Sequence, residues 1–313
     1  MRVLLVGATG VVGRPLLPRL LADGHQVYAT TSRQARTGEL ATAGAEPVVL
    51  DVLNADATRE AVARIRPEVI VHQATALSGL GNNPRKFPAY FAVTNRLRTE
   101  GTANLLVAAE AIGGARLVAQ SYCGWPYAPE DGPVKDEDAP LNPDPPAGLR
   151  TTLEAIVTLE RLVTDSPDGV VLRYGGFYGP GTSMVSGGPQ VEAIRKRRLP
   201  LIGDGAGVTS FIHVDDAAAA TTAAVTTGSG IYNIVDDEPA RFAEWVPELA
   251  RVLGAKPPWR IPLWLARPLA GDAAVYLMTR SRGGSNTRAK RDLAWTPAHP
   301  TWRAGFRAEL TRQ

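Results

Sequence analysis

Short runs of β-branched and aliphatic residues alternate with longer stretches of helical periodicity through the first half of the chain. Val3–Val6, Gln26–Thr30, Glu46–Leu50, Val69–His72, Arg116–Gln120 and Val170–Arg173 read as strands. Val12–Ala22, Thr58–Ile65, Ala89–Ile112 and Thr151–Thr164 carry helical patterns between them. Strands alternating with helices predict βαβ units, and hence an α/β class with a doubly wound parallel sheet. Between Pro126 and Pro146 there are seven prolines and six acidic residues. Proline neither donates to a strand ladder nor continues a helix, so this is an irregular excursion. It reads either as a surface loop or as part of a substrate lid. After Gly179 the alternation weakens, and Val191–Arg198, Ala240–Leu253 and the segments beyond Trp259 suggest a smaller, mixed C-terminal substrate domain. An alanine-rich helix is expected over Val214–Val225, packed closely on the sheet.

The opening strand runs straight into Gly7-Ala8-Thr9-Gly10-Val11-Val12-Gly13, at the start of a helix. In that context Gly7, Gly10 and Gly13 point to a Rossmann-like dinucleotide site. Glycine allows positive φ and close approach of the backbone to a pyrophosphate. The free N–H groups and dipole of the following helix favour the anion. Thr9, Val11 and Val12 share that loop. The end of the second strand bears on NAD against NADP. A carboxylate there would bond the ribose 2′-hydroxyl, but Thr30-Thr31-Ser32-Arg33-Gln34-Ala35-Arg36 has none. Hydroxyls with Arg33 and Arg36 suit a 2′-phosphate, so NADP is the expected cofactor. Asp51 and Val52 follow the third strand and are expected to meet the adenine. The expected division is a cofactor domain over 1–178, with 212–235 returning to it, and a substrate domain over 179–211 and 236–313.

Charge and composition narrow the field further. Against 31 acidic residues stand 34 lysines and arginines, a net charge of +3 with no long basic run, which excludes a nucleic-acid binder. Cys123 is the one cysteine, so neither an intrachain disulfide nor a cysteine-based metal site is open. His25, His72, His213 and His299 lack paired ligand spacing, and no metal is expected. Arg267 and Asp272 interrupt the most apolar later segment, Ile261 to Met278, which argues against a membrane span. With no signal-peptide pattern ahead of the first strand, the expected setting is cytoplasmic.

The chain resembles the extended short-chain dehydrogenase/reductase superfamily, also called the NAD-dependent epimerase/dehydratase family. The resemblance runs from Val3 to about Gly305. Beyond the glycine loop it rests on Val71-His72-Gln73-Ala74-Thr75 and on Asn95 ahead of Gly101-Thr102-Ala103-Asn104. Leu172-Arg173-Tyr174-Gly175-Gly176-Phe177-Tyr178-Gly179-Pro180, Phe211-Ile212-His213-Val214-Asp215-Asp216 and Ile231-Tyr232-Asn233-Ile234 carry it onward, as does the stretch from Asn286 through Trp295. It implies that Ala74, Thr75 and Ala76 line the adenine ribose and phosphate path and that Asn95 braces the site. It also implies that Gln120, Tyr174, Gly175, Gly176 and Phe177 lie along the cofactor. Members often dimerise through two helices, here similar to Ala89–Ile112 and Thr151–Thr164, so a homodimer is expected.

The family's catalytic tyrosine and lysine stand four residues apart on one helix face. Nearby positive charge lowers the tyrosine pKa for proton transfer. The matching stretch here, Gly148 to Ile156, contains no tyrosine, and none of the five lysines lies four after one. Ser121, which matches the family's catalytic serine region, and Tyr122 and Tyr178 are the candidates for its work. Tyr127 and Arg150 are further neighbours. Val208-Thr209-Ser210 also lacks the arginine that sugar-nucleotide enzymes often carry; the basic run Arg195–Arg198 could stand in for it or form a solvated helical end. Trp259, Trp264 and Tyr276 suggest an apolar pocket wall or core packing. The expected function is an NADP-dependent oxidoreductase acting on a carbonyl or alcohol of an apolar small metabolite. The alternatives are a non-catalytic NADP-binding regulator and an epimerase or dehydratase of a nucleotide-linked sugar.

Overall fold

The computed structural model describes residues 1–77 and 86–311. Its centre is a seven-stranded sheet of β1 (Arg2–Val6), β2 (Gln26–Thr31), β3 (Glu46–Val49), β4 (Val69–His72), β5 (Arg116–Tyr122), β6 (Val170–Tyr174) and β7 (Gly230–Ile234). All neighbours run parallel, in the order β7-β6-β5-β4-β1-β2-β3. Parallel strands need covered faces, which explains why all four residues of β4 and all five of β6 are buried.

Helices α1 (Gly13–Ala22), α2 (Thr37–Thr42), α3 (Ala55–Ile65), α4 (Phe87–Arg96), α5 (Thr102–Glu110), α6 (Ala147–Thr164), α7 (Pro189–Arg195) and α8 (Val214–Ala224) follow in chain order. One core lies between the sheet and α1 with α8: Leu16 and Leu20 meet Val3, Leu5, Val71 and Ala217. The other lies under α3, α5 and α6, where Val62, Leu105, Leu159 and Val163 cover Leu4, Ile70 and Leu117. The alanines of α8 are small enough to bring it close to the sheet, as its pattern predicted.

Two expectations change. The stretch read as one helix over Ala89–Ile112 is interrupted: α4 and α5 are joined by a π turn at Leu97–Gly101. A π turn carries one extra residue per hydrogen-bonded ring, which periodicity does not reveal. α6 begins a full turn earlier than predicted, directly after Pro146, whose fixed φ suits a helix start.

The C-terminal region contains α9 (Phe242–Val252), α10 (Leu263–Ala270), α11 (Asp272–Arg280), α12 (Thr287–Asp292) and α13 (Trp302–Thr311). It has its own core, in which Phe211, Trp245, Leu249, Trp302 and Phe306 pack around Tyr178. Tyr276 is buried as expected, but Trp259 and Trp264 are 59% and 76% exposed and form no pocket wall. Trp259 instead lies under the Arg197 guanidinium, 3.6 Å from its ring centre. The proline-rich segment is tied down: Val134–Lys135 pairs with Gly283–Gly284, and Tyr127 bridges to Leu141. No helix among the described residues is long and apolar enough to cross a membrane.

Candidate functional site

The site grows from the carboxyl ends of β1, β4 and β5, where the chain leaves the sheet. Gly7 has φ of +86°, and a Cβ on it would stand 2.8 Å from the Ala74 nitrogen. A Cβ on Gly13 would overlap the Gly7 carbonyl. The two glycines therefore hold loop, helix and β4 closer than any side chain permits. The Gly10 N–H donates to the Gly7 carbonyl at 2.9 Å. No side chain caps α1, and its first turn has no acidic residue. Its amino end is thus left for an external anion.

At the end of β2, Thr31 is buried, and its hydroxyl accepts the Arg33 N–H at 3.2 Å. Ser32 and Arg33 stand exposed beyond it. Arg36 reaches back to donate to the Thr9 carbonyl at 3.4 Å, clamping the glycine loop from the side, and pairs with Glu39 at 2.6 Å. Asp51 closes its own turn by accepting the Leu53 N–H, while Asn104 donates to the Val52 carbonyl at 2.9 Å. After β4, Ala74 and Ala76 are half-buried and Thr75 is exposed; the Ala76 N–H donates to the Thr94 hydroxyl at 3.1 Å. Gln120 is half-buried near the end of β5.

The fold brings several expected site residues together and leaves others elsewhere. Tyr174 is fully buried on the α8 side, where its hydroxyl accepts from Gln73 and shares a 2.6 Å hydrogen bond with Thr221. That hydroxyl is committed to the core. Gly175 abuts the Ser210 carbonyl, and the Gly176 N–H donates to it at 2.8 Å. Phe177 tilts against Tyr174, their ring centres 5.3 Å apart. Tyr178 lies in the C-terminal core, edge-on to His213 and Phe306. It is fully buried and far from ordinary proton exchange, because burial drives its pKa up. Arg150 is exposed and paired with Asp144 at 3.3 Å beside a 380 Å³ groove bounded by Pro143, Pro145 and Val157.

Ser121 and Tyr122 do lie at the end of β5. The Ser121 hydroxyl donates to Glu160 of α6 at 2.7 Å. Arg173 of β6 grips the same carboxylate with two N–H groups, at 2.8 and 2.6 Å, and donates to the Tyr127 hydroxyl at 3.0 Å. Tyr127 in turn donates to Asn233 at 2.7 Å. This buried chain ties α6 to three strands, and none of its members was legible as a pair from spacing alone. Tyr122 is half-buried, its phenol pushed up to about 12 by burial. Cys123 is sealed, and burial pushes its thiol to about 12, so it is no nucleophile at neutral pH.

On α6, Thr152 and Ile156 are buried, four residues apart on the face turned toward α4 and the sheet. Asn95 of α4 donates to the Thr152 hydroxyl at 3.1 Å. The family resemblance calls for a phenol and an ammonium in this stretch, but α6 contains neither, and its buried face presents a threonine hydroxyl and an isoleucine. The π turn places Arg98 beside this face, 5% exposed. Sequence reading missed Arg98, because an arginine in a predicted amphipathic helix looks like a solvated charge.

The fold also gathers His213, Asp216 and His299, whose donor atoms lie within 4.8 Å of one another. Both Asp216 oxygens already accept backbone N–H groups, from Ala298 at 2.8 Å and His299 at 2.9 Å. The two imidazoles stack with centres 3.8 Å apart, and the His213 Nδ1 accepts the Asp215 N–H. These bonds serve as a clamp between α8 and the C-terminal segment.

Among the described residues, four buried polar atoms of β4, α4 and the turns beside them lack a partner: His72 Nδ1, Gln73 Oε1, Asn95 Oδ1 and Arg98 Nη1. Buried polar groups are normally satisfied; Gln73, whose amide donates to Tyr174, stands on the α8 side of the sheet, and the other three stand on the side of α4 and α6. The glycine cradle and the uncapped amino end of α1 fit the pyrophosphate of a dinucleotide laid across the carboxyl ends of β1 and β4.

Comparison with known proteins agrees with this geometry. The model of the NAD dependent epimerase/dehydratase family matches residues 3–235. A Streptomyces protein named 3-diazoavenalumate denitrifying reductase is 48% identical over 312 residues, covering 99% of this chain and 100% of its own length. The Thermotoga maritima UDP-glucose 4-epimerase with UDP-glucose has the same fold, with a TM-score of 0.75 at 19% identity and coverage of 99% and 97%. A human epimerase family protein with NADPH superposes over the full length of both chains, with a TM-score of 0.75 at 20% identity. This chain is an enzyme of the oxidoreductase type, and it belongs to the NAD dependent epimerase/dehydratase family.

Proposed function

We propose that this enzyme is an NADP-dependent reductase of a small, largely apolar metabolite, and that its substrate carries a diazo group that leaves as N2. The observation that carries the reading is α6, which holds neither a tyrosine nor a lysine and presents Thr152 and Ile156 on its buried face. Gly7, Thr9, Gly10, Val11, Val12 and Gly13 would hold the pyrophosphate. Thr31, Ser32, Arg33 and Arg36 would hold the 2′-phosphate, and Asp51, Val52, Ala74, Thr75 and Ala76 the adenosine. Asn95, Gln120, Gly175, Gly176 and Phe177 would line the nicotinamide end. When bound, the cofactor supplies a hydride.

A carbonyl accepting that hydride becomes an alkoxide and needs a proton at once, which is the task of the tyrosine–lysine pair. An aryl diazonium carbon accepting it gains a C–H bond and loses its C–N bond. The hydride brings the two electrons, the leaving group departs as neutral N2, and no alkoxide forms. Such chemistry has no use for the missing acid. A relative 48% identical over the full chain, named as a denitrifying reductase of a diazo compound, supports the same choice. The second reading, reduction of a carbonyl, is favoured by one observation: a half-buried phenol, Tyr122, stands at the end of β5 beside the buried Ser121. We further assign the cofactor domain to 1–178 with 212–235, the substrate domain to 179–211 with 236–313, and the setting to the cytoplasm. A homodimer would form through α4 and α6, where Val93 and Val157 are exposed.

The test is to mix purified enzyme with NADPH and 3-diazoavenalumate and to follow nicotinamide absorbance and released nitrogen together. One N2 for each NADPH oxidised supports the proposal. NADPH oxidation by simple ketones, with the diazo compound left intact, sinks the diazo assignment in favour of the carbonyl reading.

A further inference from the structure

Arg98 sits in the π turn between α4 and α5, and the turn is held in place by the His72 ring, whose Nε2 lies 3.2 Å from the Leu97 carbonyl. Single π turns inside helices recur at functional sites, because they aim one side chain out of register. Arg98 is 5% exposed, and its buried Nη1 has no hydrogen-bond partner among the described residues. A buried charge left without a partner is strongly unfavourable, so it persists only where something else sustains it.

Its neighbours do not neutralise it. Glu160 is the acid closest in its field, but both Glu160 oxygens are taken, by Arg173 and by Ser121. Glu137, the other buried acid of this layer, is held by the Asn233 N–H and by Arg288. Burial lowers the Arg98 pKa only to about 10, so the side chain is cationic at neutral pH. Among the described residues, one positive charge is left over.

Beside Arg98 lies Tyr122, whose ring tilts against Trp125 at 6.4 Å. Phe87 meets Trp125 edge-on at 6.5 Å, and Leu153, Ile156 and Tyr276 complete an apolar, aromatic layer. A cation at the edge of an aromatic layer is the complement of a flat ring bearing an anionic group.

We propose that Arg98 anchors an anionic oxygen of the substrate, and that the substrate class is a planar aromatic carboxylic acid seated against the Tyr122–Trp125 layer. The inference rests on the reductase reading above and assigns the residue that would hold the acid group of its substrate.

The test uses the full-length protein saturated with NADP+, titrated calorimetrically with cinnamate and with the neutral cinnamamide. Wild type should prefer cinnamate by roughly 10- to 100-fold, the span of one charge-assisted hydrogen bond. Arg98→Met should bring the two ligands to the same affinity while binding NADP+ as before. Arg98→Lys should keep part of the preference. Should Arg98→Met fail to fold, Arg98→Gln against Arg98→Lys gives the same contrast. Three results would overturn the proposal: no saturable cinnamate binding to wild type, the same preference in wild type and Arg98→Met, or parallel loss of NADP+ and cinnamate. Absence of NADP+ binding in wild type would instead defeat the reductase reading, so the two failures are distinguishable.

Discussion

Asn95 and Thr152 meet across the α4–α6 contact, the Asn95 amide donating to the Thr152 hydroxyl at 3.1 Å. The bond fixes two helices where the family resemblance calls for catalytic machinery, and it makes the threonine an anchoring group. Thr152→Ala should therefore leave turnover within about 5-fold of wild type, since a neutral hydrogen bond contributes only about 0.5–1.5 kcal/mol. A loss of 100-fold or more in kcat, with NADPH affinity unchanged, would make the hydroxyl a participant in the chemistry.

Arg33 stands exposed at the end of β2 with no carboxylate nearby in the chain to read a ribose hydroxyl. Arg33→Glu should weaken NADPH roughly 10- to 100-fold, the loss of a charge-assisted contact. NADH should be nearly unaffected. Equal weakening of both cofactors, measured by fluorescence titration, would remove Arg33 from the phosphate site.

Gly13→Ala places a methyl group where the Gly7 carbonyl stands. The loop must open to admit it, so dinucleotide affinity should fall by two orders of magnitude or more, roughly the effect of losing several backbone contacts to phosphate. The C-terminal core is remote from this change, and a cooperative melting transition should survive. A variant that binds NADPH normally would show that the cradle lies elsewhere.

The buried Ser121–Glu160–Arg173 chain allows a stability comparison. Arg173→Met strands the Glu160 carboxylate and should cost about 3–5 kcal/mol. Ser121→Ala removes one donor to a carboxylate that keeps its arginine, and should cost about 1.5–3 kcal/mol. Denaturant unfolding checks the order. If Ser121→Ala leaves stability untouched but abolishes turnover, Ser121 acts in the reaction as first expected, and its bond to Glu160 is secondary.

Burial pulls the His72 imidazole from its ordinary 6.5 down to about 4, chiefly through desolvation. The folded state thus prefers the neutral ring. Its contribution is complete above about pH 6.5 and is lost as pH falls toward about 4, because the unfolded chain takes up the proton first. His72→Asn should lower the melting temperature at neutral pH, and the gap to wild type should narrow in acid. A gap constant across that range would contradict a neutral buried ring.

Much of the central sheet and of the first glycine loop is legible in the sequence, because its signals are local. Six of the seven sheet strands announce themselves as β-branched runs, and the glycines of the first loop have a steric reason visible in their spacing. Ile231–Ile234 marked the seventh through resemblance rather than pattern. The surroundings of α6 were less legible. The chain states which residues α6 lacks, but nothing in it says that Arg98 is turned inward, since that follows from one extra residue in a helical turn. Tyr178 was misplaced for a related reason: a strand-end tyrosine looks catalytic until Phe306 and His213, distant in sequence, are found packed on its ring. The Ser121–Glu160–Arg173 chain joins β5, α6 and β6, and no spacing rule links residues on three elements.

The account turns on hydride delivery without a side-chain acid. The direct measurement is kcat for NADPH-dependent reduction of 3-diazoavenalumate in H2O and in D2O, across about pH 6 to about pH 9. The account predicts a solvent isotope ratio near 1 and a flat pH profile. A ratio of about 2 or more, with a rate that follows a titrating group, would mean that a proton moves in the rate-limiting step.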